Sequence, residues 1–359
     1  MTARLIATYR IRAADPAARA RAIAVEQSIE MPPEAVAEPR ILAEMLGEVL
    51  EITDRGGGIA DVRIGLAAAT VGADAGQLLN MLFGNSSLHP DVMLIDVALP
   101  EAMARAFGGP RLGSAGLRAR LGVSGRALTG SALKPLGLDA AGLAALAGRF
   151  AAGGIDLIKD DHGLADQATA PFAARVPACA AAVRAAVRAT GHPTRYAPSL
   201  SGHDGTMAAQ IRLAVNEGLD TVLIAPMIAG FATVAALRAA FPEVLFLAHP
   251  SLSGAARIAP ELLLGRLFPL IGADAVIFPT FGGRFGFSPE ACRRLAVAAR
   301  GAGALPVPAG GMTLARVPEL LDFYGPDTML LIGGSLLLAR EALTAATAGF
   351  VRAVSDHSW

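Results

Sequence analysis

Four ionisable side chains stand in a row directly after a short apolar segment of the chain. Residues 155–158 are mainly apolar and lead into Lys159, Asp160, Asp161 and His162. Glycines on both sides favour a buried strand that ends at these charges. Because an unpaired charge is costly to bury, such side chains must meet a ligand, a metal ion or water. We expect chemistry at this point; the alternative is an ordinary exposed loop after a strand.

Polar residues or glycines also end five other apolar segments. They are Lys134, His249, Thr280 with the nearby Arg284, and the pairs Gly310-Gly311 and Gly333-Gly334. A desolvated lysine can act as a base, an arginine on a loop can bind an anion, and backbone N–H groups of glycines can bind phosphate. Each has a simpler alternative: a lysine at a solvated rim, a satisfied core histidine, a solvated loop arginine and ordinary turns.

These segments belong to a repeat of strand, loop and helix that begins near residue 126. Eight strands are predicted, at residues 127–134, 155–161, 195–200, 221–226, 244–250, 275–280, 306–311 and 328–334. Capping residues mark intervening helices at 139–152, 288–300 and 313–324. Eight such units predict an α/β fold, a (β/α)8 TIM barrel, which reacts at the C-terminal ends of its strands. A doubly wound open sheet is the alternative.

A different pattern precedes the barrel. Strands are predicted at residues 3–11, 60–67 and 92–99, and helices at 16–27 and 75–83. This alternation predicts a small α+β domain with a split βαβ, ferredoxin-like fold. We place this domain with its connector, residues 101–124, at 1–124, and the catalytic barrel at 125–359.

Composition narrows the class of partner. Of the 359 residues 53% are hydrophobic and 17% charged, and the net charge is zero. This balance gives no electrostatic case for nucleic acid or an anionic membrane, so we expect a small-molecule partner. Apolar stretches are too short to span a bilayer and the N-terminal segment lacks a signal-peptide core, so we expect a cytoplasmic protein. Cys179 and Cys292 alone do not predict a disulfide framework or a zinc site.

The strand-end residues resemble those of one family. Residues 130–138 are similar to the first-strand segment of the large chain of ribulose-bisphosphate carboxylase (Rubisco), and residues 154–161 are similar to its second-strand signature. Gln167, Pro171 and Phe172 follow at a spacing typical of that family. The resemblance covers nearly the whole chain and is specifically to the non-carboxylating relatives, the Rubisco-like proteins.

The resemblance implies a metal site. Lys159 would be carbamylated by carbon dioxide and would then bind Mg²⁺ as an oxygen ligand together with Asp161. His162 would be the third ligand, although magnesium accepts nitrogen less readily than oxygen. Lys134 would be the lysine that enolises the substrate.

The resemblance also implies substrate contacts and a homodimer. His249 corresponds to the fifth-strand histidine, and Arg284 takes the place of the lysine on the sixth loop, the lid. The phosphate-binding glycines would be Gly310, Gly311, Gly333 and Gly334. Glu26 and Asn85 resemble residues that complete the active site of the neighbouring subunit, which implies a homodimer with shared sites.

Several positions depart from the carboxylase pattern. His162 replaces the second metal-binding acid and Arg284 replaces the lid lysine. Ile277 stands where a sixth-strand histidine is expected, and Pro250 and Ser253 replace polar residues that help to hold a second phosphate. We therefore expect no carbon fixation, and a substrate with one phosphate.

Three functions remain open from the sequence. Our first expectation is a lyase that decarboxylates a phosphorylated β-keto sugar acid, such as 3-oxo-isoapionate 4-phosphate, or removes its carboxyl group by transfer and hydrolysis. The alternative is an isomerase or enolase of a methylthioribulose-type sugar phosphate. A third reading is a catalytically silent dimer that binds a phosphorylated metabolite.

Overall fold

A four-stranded antiparallel sheet forms the N-terminal part of the computed structural model, which describes residues 3–358. The strands are β1 (Arg4–Arg12), β2 (Glu48–Gly56), β3 (Ile59–Ala67) and β4 (Val92–Ala98), in the order β2-β3-β1-β4. Its helices are α1 (Pro16–Glu26), the short α2 (Pro39–Glu44) and α3 (Ala75–Phe83). This order of elements is ferredoxin-like, as the sequence predicts.

Strand β2 was missed by the sequence prediction. It pairs with β3 across the turn at Gly56-Gly57-Gly58, but nearly all of its residues are exposed at the edge of the sheet. An edge strand of this kind carries charged side chains on both faces and lacks the apolar alternation that marks a strand in a sequence.

Eight parallel strands form the barrel. They are β5 (Leu128–Leu133), β6 (Leu157–Asp160), β7 (Arg195–Ala197), β8 (Thr221–Ile224), β9 (Leu245–Ala248), β10 (Ala275–Pro279), β11 (Leu305–Ala309) and β12 (Met329–Leu331). Backbone hydrogen bonds between Leu200 and Leu223 and between Leu223 and Pro198 close the ring between β7 and β8. The TIM barrel is therefore confirmed. Several predicted strands extend too far at the C-terminal end, where residues leave the ladder to form the mouth.

Helices cover the outside of the barrel and continue past its ends. They follow the two helices of the connector, α4 (Glu101–Phe107) and α5 (Gly113–Leu121), and are α6 (Ala140–Ala152), α7 (Phe172–Thr190), α8 (Asp204–Asn216), α9 (Pro226–Ala229), α10 (Phe231–Ala240), α11 (Pro260–Leu262), α12 (Phe268–Leu270), α13 (Pro289–Gly301), α14 (Val317–Tyr324), α15 (Gly334–Leu337) and α16 (Leu343–Ser355). Asp139 and Ser288 cap α6 and α13. Among residues 3–358, no helix has the length and apolarity that crossing a membrane requires.

The connector contains two helices, α4 (Glu101–Phe107) and α5 (Gly113–Leu121). Leu117 and Leu121 of α5 pack in the same buried cluster as the inward side chains of the strands, so α5 closes the bottom of the barrel. The buried carboxylate of Asp274 accepts hydrogen bonds from the backbone N–H groups of Leu112 and Gly113 at 2.7 and 2.8 Å, which anchors the start of α5. The opposite, C-terminal end of the barrel is left for the site.

Candidate active site

Strand alternation aims the predicted catalytic residues into the mouth of the barrel. Leu157 of β6 lies in the interior cluster, so Lys159 and Asp161, two and four residues later, point the same way. Lys134 follows β5 and its Nζ donates to Oδ1 of Asp161 at 2.5 Å. Lys134 and Lys159 are the only lysines in the chain, and the fold brings both to this one place.

Two histidine rings stack above this group. The rings of His162 and His249 lie parallel with their centroids 4.3 Å apart. Nδ1 of His249 lies 2.7 Å from Oγ of Ser251, and Nδ1 of His162 lies 3.3 Å from Oδ1 of Asp161. Lys134, Lys159, Asp161, His162 and His249 therefore form one cluster at the strand ends.

Burial tunes the ionisable groups of this cluster. It lowers the pKa of Lys159 to about 8, although the nearby charge of Asp161 opposes this. Burial, followed by the charge of Lys159, lowers the pKa of His249 to about 2, so this imidazole is neutral at physiological pH. Burial alone would raise the pKa of Asp161, but the adjacent His162 and a hydrogen bond from Lys134 hold it well below its usual range.

The sixth loop packs directly on the first glycine pair. Gly310 and Gly311 have φ angles of 82° and 84°. A Cβ added at Gly311 would lie 2.7 Å from Cα of Gly283, and one at Gly310 would lie 3.2 Å from the ring of Phe285. The Arg284 guanidinium lies over the Phe285 ring, 4.8 Å from its centroid. This close backbone approach requires glycine here independently of any phosphate.

The second glycine pair has a different setting. Gly333 lies between β12 and the short helix α15, and Gly334 is the first residue of that helix; a Cβ added at either would meet no atom within 4 Å. The space beside them is therefore open, which is compatible with the predicted phosphate contact.

Glu26 and Asn85 come together within the N-terminal domain. Nδ2 of Asn85 donates to Oε1 of Glu26 at 2.8 Å and to Oε1 of Glu30 at 2.9 Å, and these groups are exposed. Glu30 was not predicted; it has a φ of 57°, which is unusual for a residue with a side chain. Their role at a neighbouring subunit's site stays a prediction.

The donor set of the cluster fits Mg²⁺ only with a modified lysine. The residues that the structure describes contain no group of three or more His, Cys, Asp or Glu side chains able to hold a metal ion. Asp161 supplies one carboxylate, and a carbamate on the buried amine of Lys159 would supply a second hard oxygen ligand. His162 is close enough to Asp161 to contribute nitrogen to the same ion.

Sequence reasoning missed the buried polar residues behind the cluster. The side chain of Asp160 points away from the barrel interior and contacts Arg175 and Tyr196, which are both fully buried. The alternation of β6 indicates that Asp160 faces outward, but its partners lie 15 and 36 residues further along the chain.

The fold and site together define a TIM-barrel protein with a ferredoxin-like N-terminal domain and a lysine–carboxylate cluster at the barrel mouth. Residues 113–260 match the family model of the ribulose bisphosphate carboxylase large chain, catalytic domain. The chain superimposes on the crystal structure of a Rubisco-like protein from Rhodopseudomonas palustris with a TM-score of 0.93 and 48% identity, covering 100% of this chain and 99% of that one.

Several curated relatives carry names of activities. The chain is 56% identical to the 5-methylthioribulose-1-phosphate isomerase of Rhodospirillum rubrum, over 99% of this chain and 97% of the relative. It is 35% identical to the 2,3-diketo-5-methylthiopentyl-1-phosphate enolase of Geobacillus kaustophilus, over 77% of this chain and 70% of the relative. The chain belongs to the Rubisco-like proteins, the non-carboxylating relatives of the Rubisco large chain.

Proposed function

We propose that the protein is an isomerase that transfers protons on a phosphorylated methylthio sugar of the 5-methylthioribulose 1-phosphate type. The 56% identity to the isomerase of that name, over almost all of both chains, carries this proposal. It corresponds to the alternative drawn from the sequence. Decarboxylation, our first expectation, gains no support from the names of the similar proteins described above.

The residues at the mouth suit a substrate with one phosphate and one apolar end. Ile277, where the family has a histidine, is buried in the interior cluster, and Ala309 packs against that cluster. Pro250 follows His249 at the same end of the barrel. A methylthio group is apolar and gains by burial there, whereas a second phosphate would find no cation among these three side chains. The glycine pairs are left to bind the single phosphate.

In this proposal Lys134 transfers the proton, and the groups around it bind the substrate and the metal. Lys134 Nζ, held by the Asp161 carboxylate, would take a proton from the carbon beside the carbonyl or return it. His249, kept neutral by burial, would hydrogen-bond a substrate hydroxyl or carbonyl oxygen without adding charge. Carbamylated Lys159, Asp161 and His162 would hold Mg²⁺, which when bound acts as a Lewis acid toward the developing oxyanion.

Arg284 would close the site. Its loop lies on Gly310 and Gly311, so the guanidinium is carried next to the proposed phosphate position. A planar arginine can make two parallel hydrogen bonds to phosphate, which a lysine cannot.

Proton exchange tests the proposal. The protein, Mg²⁺ and bicarbonate are incubated with 5-methylthioribulose 1-phosphate in deuterium oxide and followed by NMR. We expect deuterium at a carbon beside the carbonyl and a new isomeric ketose phosphate. Release of carbon dioxide from a keto-acid phosphate, with no exchange into the methylthio sugar, would instead support the lyase. Binding of the sugar phosphate with neither reaction would support the silent dimer.

We also propose a homodimer in which Glu26 and Asn85 complete the partner's site. Their exposed position in the N-terminal domain leaves them available to a second copy. A twofold interface of this kind would supply each barrel mouth with polar groups from the other chain.

A further inference from the structure

A fully buried polar network lies directly behind the lysine–carboxylate cluster. The Asp160 carboxylate accepts hydrogen bonds from the Tyr196 hydroxyl at 2.7 Å, the Ser199 backbone N–H at 3.0 Å and Arg175 Nε at 3.1 Å. Asp160, Arg175 and Tyr196 are each no more than 1% exposed. Three donors from two other segments thus fix one carboxylate between barrel and helices.

This network determines where the peptide after Lys159 lies. Nζ of Lys159 donates to the backbone carbonyl of Asp160 at 3.0 Å. The side chain of Asp160 is held on the outer face of β6, so the direction of the Asp160 backbone carbonyl is fixed. The position of the Lys159 amine, which donates to that carbonyl, is fixed with it. The neighbouring Asp161 is turned into the barrel by the same constraint.

Arg175 extends the network to the loop that carries His162. Its Nη1 donates to the backbone carbonyls of Ala165 and Ala170 at 2.8 and 2.6 Å. Nη2 of this buried guanidinium has no hydrogen-bond partner among the residues that the structure describes. A buried ion pair with an unmet donor adds little to stability relative to apolar packing. The presence of this ion pair is better explained by the geometry that it imposes on the adjacent site.

We propose that Asp160, Arg175 and Tyr196 are positioning residues that hold the Lys159 amine in the place where it takes up carbon dioxide. In that step a bond forms between Nζ and the carbon of carbon dioxide, and one proton leaves the nitrogen for solvent. No electron transfer is needed. This inference rests on the proposed metal-assisted function but concerns residues outside the barrel interior.

Tyr196→Phe is the most direct test, because it removes one donor to Asp160 and keeps the ring. The protein is equilibrated with ¹³C-bicarbonate and Mg²⁺, the carbamate is trapped by alkylation, and lysine peptides are measured by mass spectrometry. Lys134, the chain's other lysine, is the internal reference. We expect the trapped carbamate on Lys159 to fall about tenfold and kcat to fall about tenfold, with KM within about twofold.

Thr194→Val is the matched control. The Thr194 hydroxyl donates to the Ile155 carbonyl at 2.6 Å, a buried hydrogen bond at the opposite end of the same two strands. This variant should lose about as much thermal stability as Tyr196→Phe, and should keep the carbamate level and the kcat of the wild type. Equal losses in both variants, wild-type carbamate in Tyr196→Phe, or no carbamate on Lys159 of the wild type would each overturn the positioning role.

The two proposals can fail separately. A lower carbamate signal in Tyr196→Phe, in a protein that does not isomerise the methylthio sugar, would retain the positioning role and reject the proposed substrate. Isomerisation that proceeds equally well in the wild type and in Tyr196→Phe would retain the proposed function and reject the positioning role.

Discussion

Lysine is confined to the candidate site, although the chain carries 31 Lys and Arg residues in total. Every cationic side chain other than Lys134 and Lys159 is therefore an arginine or a histidine. Arginine stays charged at all relevant pH values, so it can neither donate an amine to carbon dioxide nor act readily as a base. The proposed carbamate and the proposed proton-transfer group thus fall on the two lysines of the chain.

Replacing Lys159 by Met separates stability from activity. Burial lowers the pKa of Lys159 to about 8, which means that the folded state disfavours the ammonium. At pH 7 in buffer free of carbon dioxide, the variant should gain on the order of 2 kcal/mol in unfolding free energy. Its kcat should fall by about 10³ or more, since neither carbamate nor metal ligand remains.

The pH dependence of the unfolding free energy checks the direction of this effect. In the wild type the penalty is fully present below pH 8 and disappears as the pH rises toward the unfolded lysine's value near 10.4. Urea unfolding should therefore show the wild type gaining stability over this range and the Met variant lacking that gain. Arg188→Lys, an exposed exchange on α7, is the control and should change neither quantity. Wild-type turnover in the Met variant would exclude the proposed metal site.

His162 is the residue that most separates this site from a carboxylase site. The sequence places it beside Asp161, and the structure adds its stacking on His249. Restoring an acid with His162→Glu should supply the oxygen ligand that Mg²⁺ prefers and lower its Kd by about tenfold in the presence of bicarbonate. Titration calorimetry measures this, with His89→Glu on the exposed surface of the N-terminal domain as control. Unchanged affinity would place residue 162 outside the coordination sphere.

At the scale of elements, the strands of the barrel could be predicted because each is a short apolar run bounded by turn residues. Their mouth residues could be identified for the same reason, since polar groups end apolar runs. Partners far apart in sequence could not be predicted: the contact of Asp160 with Tyr196 spans 36 residues and depends on β6 lying beside β7. Strand β2 was missed because its exposed charges carry no apolar period.

The N-terminal end of β6 depends on a buried carboxylate. Burial alone would raise the pKa of Asp156, but hydrogen bonds from Arg126 and the nearby His192, whose Nε2 lies 3.1 Å from Oδ1, lower it to about 2. The carboxylate also accepts from the backbone N–H of Thr129 at 2.7 Å, so it ties the start of β6 to β5. Nothing in the sequence indicated that His192, 36 residues further along the chain, lies beside this carboxylate.

Asp156→Asn should weaken the fold without directly changing the mouth. Because the folded pKa is depressed, the carboxylate's contribution is present above about pH 4 and is lost as the pH falls toward 2. The variant should lose on the order of 2 kcal/mol at pH 7, and the difference from wild type should shrink between pH 4 and pH 3. Urea unfolding at several pH values measures this, with the exposed Asp204→Asn as control. A difference independent of pH would exclude ionisation of Asp156 as its cause.

At the scale of the whole molecule, the barrel mouth contains cations, histidines and one inward carboxylate, while the pair of Glu26 and Asn85 lies in the other domain. If a second copy docks there, the N-terminal domain contributes residues to the active site of that copy. Sequence resemblance supplied this expectation, which concerns surfaces of two molecules.

Mixing two inactive variants tests shared sites directly. Glu26→Gln removes a carboxylate from the N-terminal domain, and Lys159→Ala removes the barrel lysine. In a mixed dimer with shared sites, one site carries both changes and the other carries neither. Random pairing makes half of the dimers mixed, and each has one intact site of two. Co-expression should therefore restore about one quarter of wild-type activity from two proteins that are nearly inactive alone. If each chain builds its whole site itself, the co-expressed mixture should stay as inactive as its parents.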